Sequence, residues 1–301
     1  MAVTMGRRLC AVLIAVAGLT ALTGCAGSAR LHAATVVAST DVWGSVASAV
    51  TGHHVAVKSI LTGSDTDPHS YAASPSDAAA ITDAALVVYN GGGYDPWVDQ
   101  VLDRHPGIRS VDAYSFVPAG GGDGRAPNEH VFYDLGVAKS VASSIADRMA
   151  VIDPANADDY RANAAAFGRA ADAIANSEHA IAGAYPDAGV IATEPDVDYL
   201  LAAAGLVNRT PAAFAAASEN ETDPSPADMA KVLDMIKRRQ VSAVLINPQT
   251  SGSAVNGLQD AARRAGVPVT EVRETLPDGT DYLTWQRNTV NQLLAALRSS
   301  R

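Results

Sequence analysis

The chain has 301 residues, of which 48% are hydrophobic and 18% are charged. This composition is typical of a globular protein and excludes an intrinsically disordered one. Because single hydrophobic cores stop growing at about 250–300 residues, the length favours two lobes. The 22 basic and 32 acidic residues give a formal net charge of −10 without a basic cluster, so nucleic acid is disfavoured as a partner.

Residues 1–24 are predicted to be a bacterial lipoprotein signal peptide. Arg7 and Arg8 precede an apolar run over residues 9–22 that is too short for a permanent transmembrane helix. The run ends in LTGC at residues 22–25, which has the form of a lipobox. We expect Cys25 to be lipidated, residues 25–33 to form a tether, and the protein to be extracytoplasmic and lipid-anchored to the cell membrane. The alternative is an ordinary secretory signal followed by a chance cysteine.

A first α/β lobe is predicted over residues 34–152. Short β-branched runs alternate with helical stretches there, which is typical of βα units. The predicted strands cover residues 35–38, 55–60, 86–89 and 108–113, and the predicted helices cover residues 41–50, 75–82 and 96–104. Ser74 is the expected N-cap of the second helix. The glycine-rich segment 118–127 predicts a mobile loop.

Residues 135–184 are predicted to be almost wholly helical, with a break near Asp153 and Pro154. The second part, residues 153–185, is interpreted as a long helix that links two lobes. A second α/β lobe over residues 186–301 has predicted strands at 189–192, 241–246 and 267–272, and helices at 196–204, 226–239, 252–265 and 282–297. The predicted fold class is therefore α/β, with two lobes of mainly parallel sheets.

Four side chains that can bind metal follow predicted strands. His69 and His130 lie in the first lobe, and Glu194 and Glu274 lie in the second. Ligands of open α/β sheets bind beyond the carboxyl ends of the strands, which is where all four are placed. Two neutral imidazoles and two carboxylates carry a charge of −2, which a divalent cation would neutralise. The four together predict a metal site in the cleft between the lobes.

The successive motifs of this chain resemble those of the zinc/manganese substrate-binding proteins of bacterial ABC importers. The motifs are DPHSY at 67–71, NGGGY at 90–94, NEH at 128–130, TEP at 193–195 and ETDPSP at 221–226, followed by Tyr282 and Trp285. The resemblance covers residues 34–299. It implies a rigid two-lobed binder that holds its metal through His69, His130, Glu194 and Glu274. It also implies a monomer that delivers the ion to a permease with its ATPase.

Departures from that family pattern bear on the identity of the metal. Many zinc-binding relatives place a third histidine where Glu194 stands and carry a histidine-rich loop, whereas segment 118–127 has no histidine. Relatives usually have proline where Glu129 stands, and often aspartate where Glu274 is placed. A carboxylate in place of imidazole suits manganese, but zinc also binds sites of two nitrogens and two oxygens. The metal is therefore zinc or manganese. Glu271, Asp278 and Asp281 are the alternatives to Glu274 as the fourth ligand.

Three further residues are candidates to support the site. Asp134, one helical turn from His130, could cap a helix or accept a hydrogen bond from an imidazole N–H. Asn247 and Gln249 follow a strand end and are expected to line the cleft.

Two other functions compete with metal import. A secreted metal-dependent hydrolase would need an open coordination position and a general base, but no His-Glu-x-x-His, Gly-x-Ser-x-Gly or Walker motif occurs. We therefore do not expect an enzyme. A surface adhesin built on the same fold is the second alternative.

Overall fold

The computed structural model describes residues 35–63, 68, 70–118, 126–220, 222–249 and 252–300. The predicted signal peptide, the tether and Cys25 lie outside the described residues, as do His69 and most of the predicted mobile loop. The elements of the first lobe are β1 (Thr35–Thr40), α1 (Asp41–Thr51), β2 (Ala56–Leu61), α2 (Pro75–Asp83), β3 (Leu86–Tyr89), α3 (Pro96–Leu102) and β4 (Ser110–Asp112).

The sheet of the first lobe has the strand order β2-β1-β3-β4, and all its pairs are parallel. Central strands β1 and β3 are almost entirely buried, because helices cover a parallel sheet on both faces. This explains why β3 is a continuous apolar run and why β1 carries the apolar residues Val36, Val37 and Ala38. Ser74 caps α2 in a reciprocal capping box with Asp77, as expected from the sequence.

The second lobe repeats this arrangement. Its elements are β5 (Gly189–Ala192), α6 (Asp198–Ala203), β6 (Val207–Asn208), α7 (Ala212–Glu219), α8 (Pro226–Lys237), β7 (Ala243–Ile246), α9 (Ser253–Ala265), β8 (Val269–Glu271) and α10 (Tyr282–Ser299). The strand order is β6-β5-β7-β8, again with parallel pairs throughout. Two parallel-sheet lobes confirm the predicted α/β class.

Two long helices separate the sheets, as the sequence predicts. Helix α4 (Leu135–Ile152) and the 28-residue α5 (Ala157–Ala184) are separated by a 3-10 turn, Pro154–Asn156. Asp153 stabilises this break, because its carboxylate accepts hydrogen bonds from Asn156 Nδ2 at 2.7 Å and from the Tyr160 hydroxyl at 2.6 Å. A helix of this length spans about 40 Å.

One apolar core runs through both lobes and includes side chains of both sheets. The closing helix α10 contributes to its continuity. The Tyr282 hydroxyl and Gln286 Nε2 donate hydrogen bonds to the Phe132 carbonyl at 2.7 and 3.1 Å, and the Tyr282 N–H donates to Ser45 Oγ at 2.8 Å. The described residues from Thr35 onward therefore form one compact unit. None of the helices in the described ranges has the length and apolar character needed to cross a membrane.

Glu178 is a buried carboxylic acid on the linking helix α5, with 2% of the residue exposed. Its Oε1 atom has no hydrogen-bond partner among the described residues. Burial and, to a smaller degree, the negative charge of Asp134 raise the pKa of Glu178 from 4.5 to about 7. Because the unfolded chain ionises first, the folded state loses stability as the pH rises from about 4.5 to about 7.

We expect Glu178→Gln to raise the free energy of unfolding by about 1–3 kcal/mol above about pH 7, since the amide removes a poorly solvated charge. At about pH 5 the folded carboxyl is protonated, and the variant and the parent should differ much less. Chemical denaturation at about pH 5 and about pH 8 measures both values. Asp147→Asn, at an exposed acid of α4, is the matched control and should show no pH-dependent gain. Equal stability of Glu178→Gln and parent at the higher pH would refute the burial argument.

Candidate metal centre

The candidate ligands lie in loops that follow parallel strands, as the sequence predicts. Glu194 and Asp196 follow β5, with Asp196 in the 3-10 turn Pro195–Val197, and Glu274 follows β8. His130 immediately precedes the 3-10 turn Val131–Tyr133. Because β5, β7 and β8 are parallel neighbours, their carboxyl ends share one edge of the sheet. That topology brings residues 80 positions apart in the sequence into one cluster.

Three carboxylates form the centre of this cluster. One ligand oxygen from each of Glu194, Asp196 and Glu274 lies within 4.8 Å of those of the other two. All three side chains are buried, and Asp196 is 0% exposed. His130, from the first lobe, is also buried and places Nε2 3.6 Å from Glu274 Oε2. The cluster therefore offers both oxygen and nitrogen ligands to one point.

Asn247 holds two of the carboxylates in place. Its Nδ2 donates to Glu194 Oε2 at 2.8 Å and to Glu274 Oε1 at 3.0 Å. Gln249 accepts a hydrogen bond from the Glu274 N–H at 2.8 Å and donates to Thr275 Oγ1 at 3.0 Å. Both amides therefore lie beside the cluster, where the sequence predicts them to line the cleft. They orient the carboxylates in the way that outer residues orient metal ligands.

Asn128 orients the imidazole of His130. Its Oδ1 lies 2.9 Å from His130 Nδ1 and also accepts the His130 N–H at 2.7 Å. An amide oxygen only accepts, so Nδ1 donates in this hydrogen bond, and Nε2 is the ring nitrogen that faces Glu274. Asn128 also joins the two lobes, because its Nδ2 donates to the Pro195 carbonyl and its own carbonyl accepts from the Tyr199 hydroxyl.

Asp134 takes the first of its two predicted roles. Its carboxylate caps α4 by accepting from the N–H groups of Gly136 at 2.8 Å and Val137 at 3.1 Å. The other predicted role, partner of the imidazole N–H, belongs to Asn128 in the structure.

The alternatives to Glu274 lie elsewhere. Glu271 is exposed and pairs with Arg273, Asp278 is exposed, and Asp281 caps α10.

The turn after β3 fixes the segment that carries His130. Asn90 Nδ2 donates to the Glu129 carbonyl at 2.8 Å, and Trp43 Nε1 donates to Asn90 Oδ1 at 3.1 Å. Gly91 has a φ of 73°, and a Cβ there would meet the Asp112 carboxylate at 2.1 Å. The buried Asp95 accepts the N–H groups of Asn90 and Gly91, both at 2.8 Å. Glycine is therefore required at this turn by both conformation and space.

Like charges dominate the electrostatics of the cluster. Burial first, and then the charges of Glu194 and Glu274, raise the pKa of Asp196 well above its ordinary value. Neither Asp196 oxygen has a hydrogen bond of ordinary geometry within the described part of the chain. Carboxylates held together in this way repel one another unless a proton or a cation lies between them. With the imidazole beside them, the arrangement is chemically suited to a divalent transition metal.

Asp196 was not predicted from the sequence to take part in the site. The sequence places it at the first position of a helix over residues 196–204, where an acid is an ordinary helix-start residue. In the structure α6 begins two residues later, and Asp196 lies buried in the preceding turn. The sequence feature that could have identified Asp196 as part of the cluster is its position two residues after Glu194. His69 lies outside the described residues, and its role as a ligand stays a prediction.

Comparisons with known proteins identify a relative and solved structures that match most of this chain. The manganese-binding lipoprotein MntA of Bacillus subtilis is 24% identical over 304 residues, covering 92% of this chain and 95% of the relative. Two solved structures have a TM-score of 0.72: the SBP FpvC of Pseudomonas aeruginosa with Mn²⁺, at 23% identity, and the periplasmic zinc-binding protein TroA of Treponema pallidum, at 18%. They match 89% and 88% of this chain and 99% of their own chains.

A third structure is that of the laminin-binding protein Lmb of Streptococcus agalactiae, described as a bifunctional adhesin and metal transporter. It has a TM-score of 0.73 at 21% identity and covers 89% of this chain and 99% of its own. At these identities the structures establish the shared fold. The family described as zinc-uptake complex component A, periplasmic (ZnuA), matches residues 36–296. The chain therefore belongs to the ZnuA family.

Proposed function

We propose that this protein captures a divalent transition metal, zinc or manganese, outside the cytoplasm and delivers it to an ABC permease and its ATPase. The buried cluster of Glu194, Asp196 and Glu274 beside His130 is the observation that carries the proposal. Such a cluster is costly to bury without a cation, so its presence in a folded protein favours metal as the ligand. Its membership of the ZnuA family agrees with the same function.

The proposed ligands are His130, Glu194 and Glu274, together with His69. Two neutral imidazoles and two carboxylates provide the four ligands and the charge of −2 that suit a divalent ion. Support comes from the ordered surroundings. Asn128 fixes the imidazole of His130, and Asn247 ties the two glutamates to each other. The metal is the cargo of the protein, so the site needs affinity and release rather than a reaction.

The proposed location follows from the N-terminal sequence. Lipidation of Cys25 in the sequence LTGC would hold the protein at the outer face of the cell membrane, where a monomer can pass its metal to the permease. The name of its relative MntA, a manganese-binding lipoprotein, supports the anchor.

Deletion of the gene tests the proposal directly. The deletion strain should grow poorly in medium treated with a chelator and should take up little radiolabelled Zn²⁺ or Mn²⁺. The unmutated gene should restore both, and so should His105→Ala, which changes an exposed histidine. His130→Ala should restore neither, because it removes a metal ligand. Normal metal uptake by the deletion strain, together with lost adhesion to laminin, would instead assign the protein to the adhesins represented by Lmb.

A further inference from the structure

Asp196 is a third buried carboxylate at the proposed site, beyond the four ligands assigned above. Its ligand oxygen lies within 4.8 Å of those of Glu194 and Glu274. The side chain is 0% exposed, and neither of its oxygens makes a hydrogen bond of ordinary geometry to a described residue. No described lysine or arginine pairs with it either. The fold thus brings a polar group out of water and directs it at the metal ligands.

A purely structural role does not account for this arrangement. A buried polar group normally recovers its lost hydration through hydrogen bonds, and an unpaired one costs about 1–3 kcal/mol. Asp198, two residues later, shows the ordinary case. It is half-buried and accepts a hydrogen bond from Asn208 Nδ2 at 3.4 Å. Asp196, by contrast, is fully buried, and the ligand oxygens beside it belong to two other carboxylates, Glu194 and Glu274. A metal ion among them would satisfy all three.

The number and kind of ligands distinguish between candidate metals. The four ligands proposed above, His69, His130, Glu194 and Glu274, would already complete a tetrahedral zinc site. A fifth protein ligand is superfluous for zinc in that geometry. Manganese prefers oxygen ligands and a coordination number near six, so an additional carboxylate favours it. A third carboxylate also changes the formal charge of the ligand set from −2 to −3 and adds another hard oxygen ligand.

We infer that Asp196 is a further metal ligand that shifts the preference of the site towards Mn²⁺ and away from Zn²⁺. The inference rests on the proposed function, since it concerns the same metal site. In the general affinity order zinc binds sites of nitrogen and oxygen ligands more tightly than manganese. Asp196 therefore changes the ratio of the two dissociation constants, because it narrows the difference between the zinc and manganese affinities.

The test uses the purified full chain and three variants, with the dissociation constants of Mn²⁺ and Zn²⁺ measured by competition against chelators of known affinity. Asp196→Asn should weaken Mn²⁺ binding by at least about tenfold and Zn²⁺ binding by less than about threefold. Asp196→Ala should act in the same direction. Asp198→Asn is the control, because it removes a nearby negative charge without removing a ligand, and it should leave the ratio unchanged.

Different results separate the inference from the proposed function. If the unmutated protein binds neither metal, both are wrong. If it binds metal and Asp196→Asn leaves the Mn²⁺/Zn²⁺ ratio unchanged, the inference alone is wrong.

A crystal structure of the unmutated protein loaded with Mn²⁺ needs no variant and so does not depend on whether the variants fold. An Asp196 oxygen about 2.2 Å from the metal would support the inference, whereas an oxygen beyond about 3 Å would overturn it.

Discussion

Zn²⁺ or Mn²⁺ should stabilise the metal-free protein against unfolding by about 4 kcal/mol when the free metal is about 1,000 times Kd. We expect the metal to bind the folded state only, because the proposed ligands come from both lobes and assemble through the fold. It also relieves the repulsion among the carboxylates of Glu194, Asp196 and Glu274. For a protein of this size, that free energy corresponds to a rise in Tm of about 7 °C.

Differential scanning calorimetry on metal-free protein measures this shift, and Mg²⁺ serves as the control metal. Mg²⁺ prefers an octahedron of oxygens and retains its water, so the imidazole of His130 is a poor ligand for it. We expect a much smaller rise in Tm with Mg²⁺ than with Zn²⁺ or Mn²⁺. An equal rise with Mg²⁺ would mean that the metals bind unspecifically to carboxylates.

The second large effect is expected from His130→Ala, which should weaken metal binding at least about 100-fold, or about 2.8 kcal/mol. As a proposed ligand, the imidazole would supply a nitrogen that water replaces poorly, and its Nε2 lies 3.6 Å from Glu274 Oε2. The ring also packs at its edge against Tyr94 and Phe132, so some loss of stability is expected, about 1–3 kcal/mol. Glu194→Gln preserves side-chain volume and should weaken binding too, which separates lost ligation from lost packing.

Much of the fold could be predicted because the sheets are parallel and buried. Strands such as β3 and β5 are short apolar runs bounded by polar turns, and they were predicted to within one or two residues. Helix α2 is predicted with Ser74 as its N-cap, and Ser74 accepts the expected hydrogen bond from the Asp77 N–H. The 3-10 break before α5 was indicated by Pro154.

The elements that were missed are weak in local signal. Strand β6 is only two residues long, Val207–Asn208, and pairs at the edge of the sheet. Two residues are too few to show a period in the sequence. Helix α7 (Ala212–Glu219) lies in a segment that the sequence left unassigned, and one residue of it, Phe214, is fully buried. Its stability comes from tertiary packing more than from an amphipathic pattern.

The proximity of Glu194 and Glu274 was predictable from topology. They follow β5 and β8 of one parallel sheet, whose carboxyl ends share an edge, and the two side chains lie close together there. Their role as ligands stays a prediction. Asp196 shows the limit of that rule. Whether an acid two residues past a strand faces solvent or the cluster depends on a 3-10 turn that starts at Pro195, and no sequence pattern fixes the direction of that side chain.

The central claim is that His130 and the buried carboxylates bind one transition-metal ion. Calorimetric titration of metal-free protein with Zn²⁺ and with Mn²⁺ at about pH 7 tests it most directly, using the unmutated chain, His130→Ala, Glu194→Gln and the exposed-site control His105→Ala. We predict one bound ion per chain for the unmutated protein and for His105→Ala, with binding weakened at least about 100-fold in His130→Ala. Unchanged affinity in both His130→Ala and Glu194→Gln would contradict the account and place the metal elsewhere.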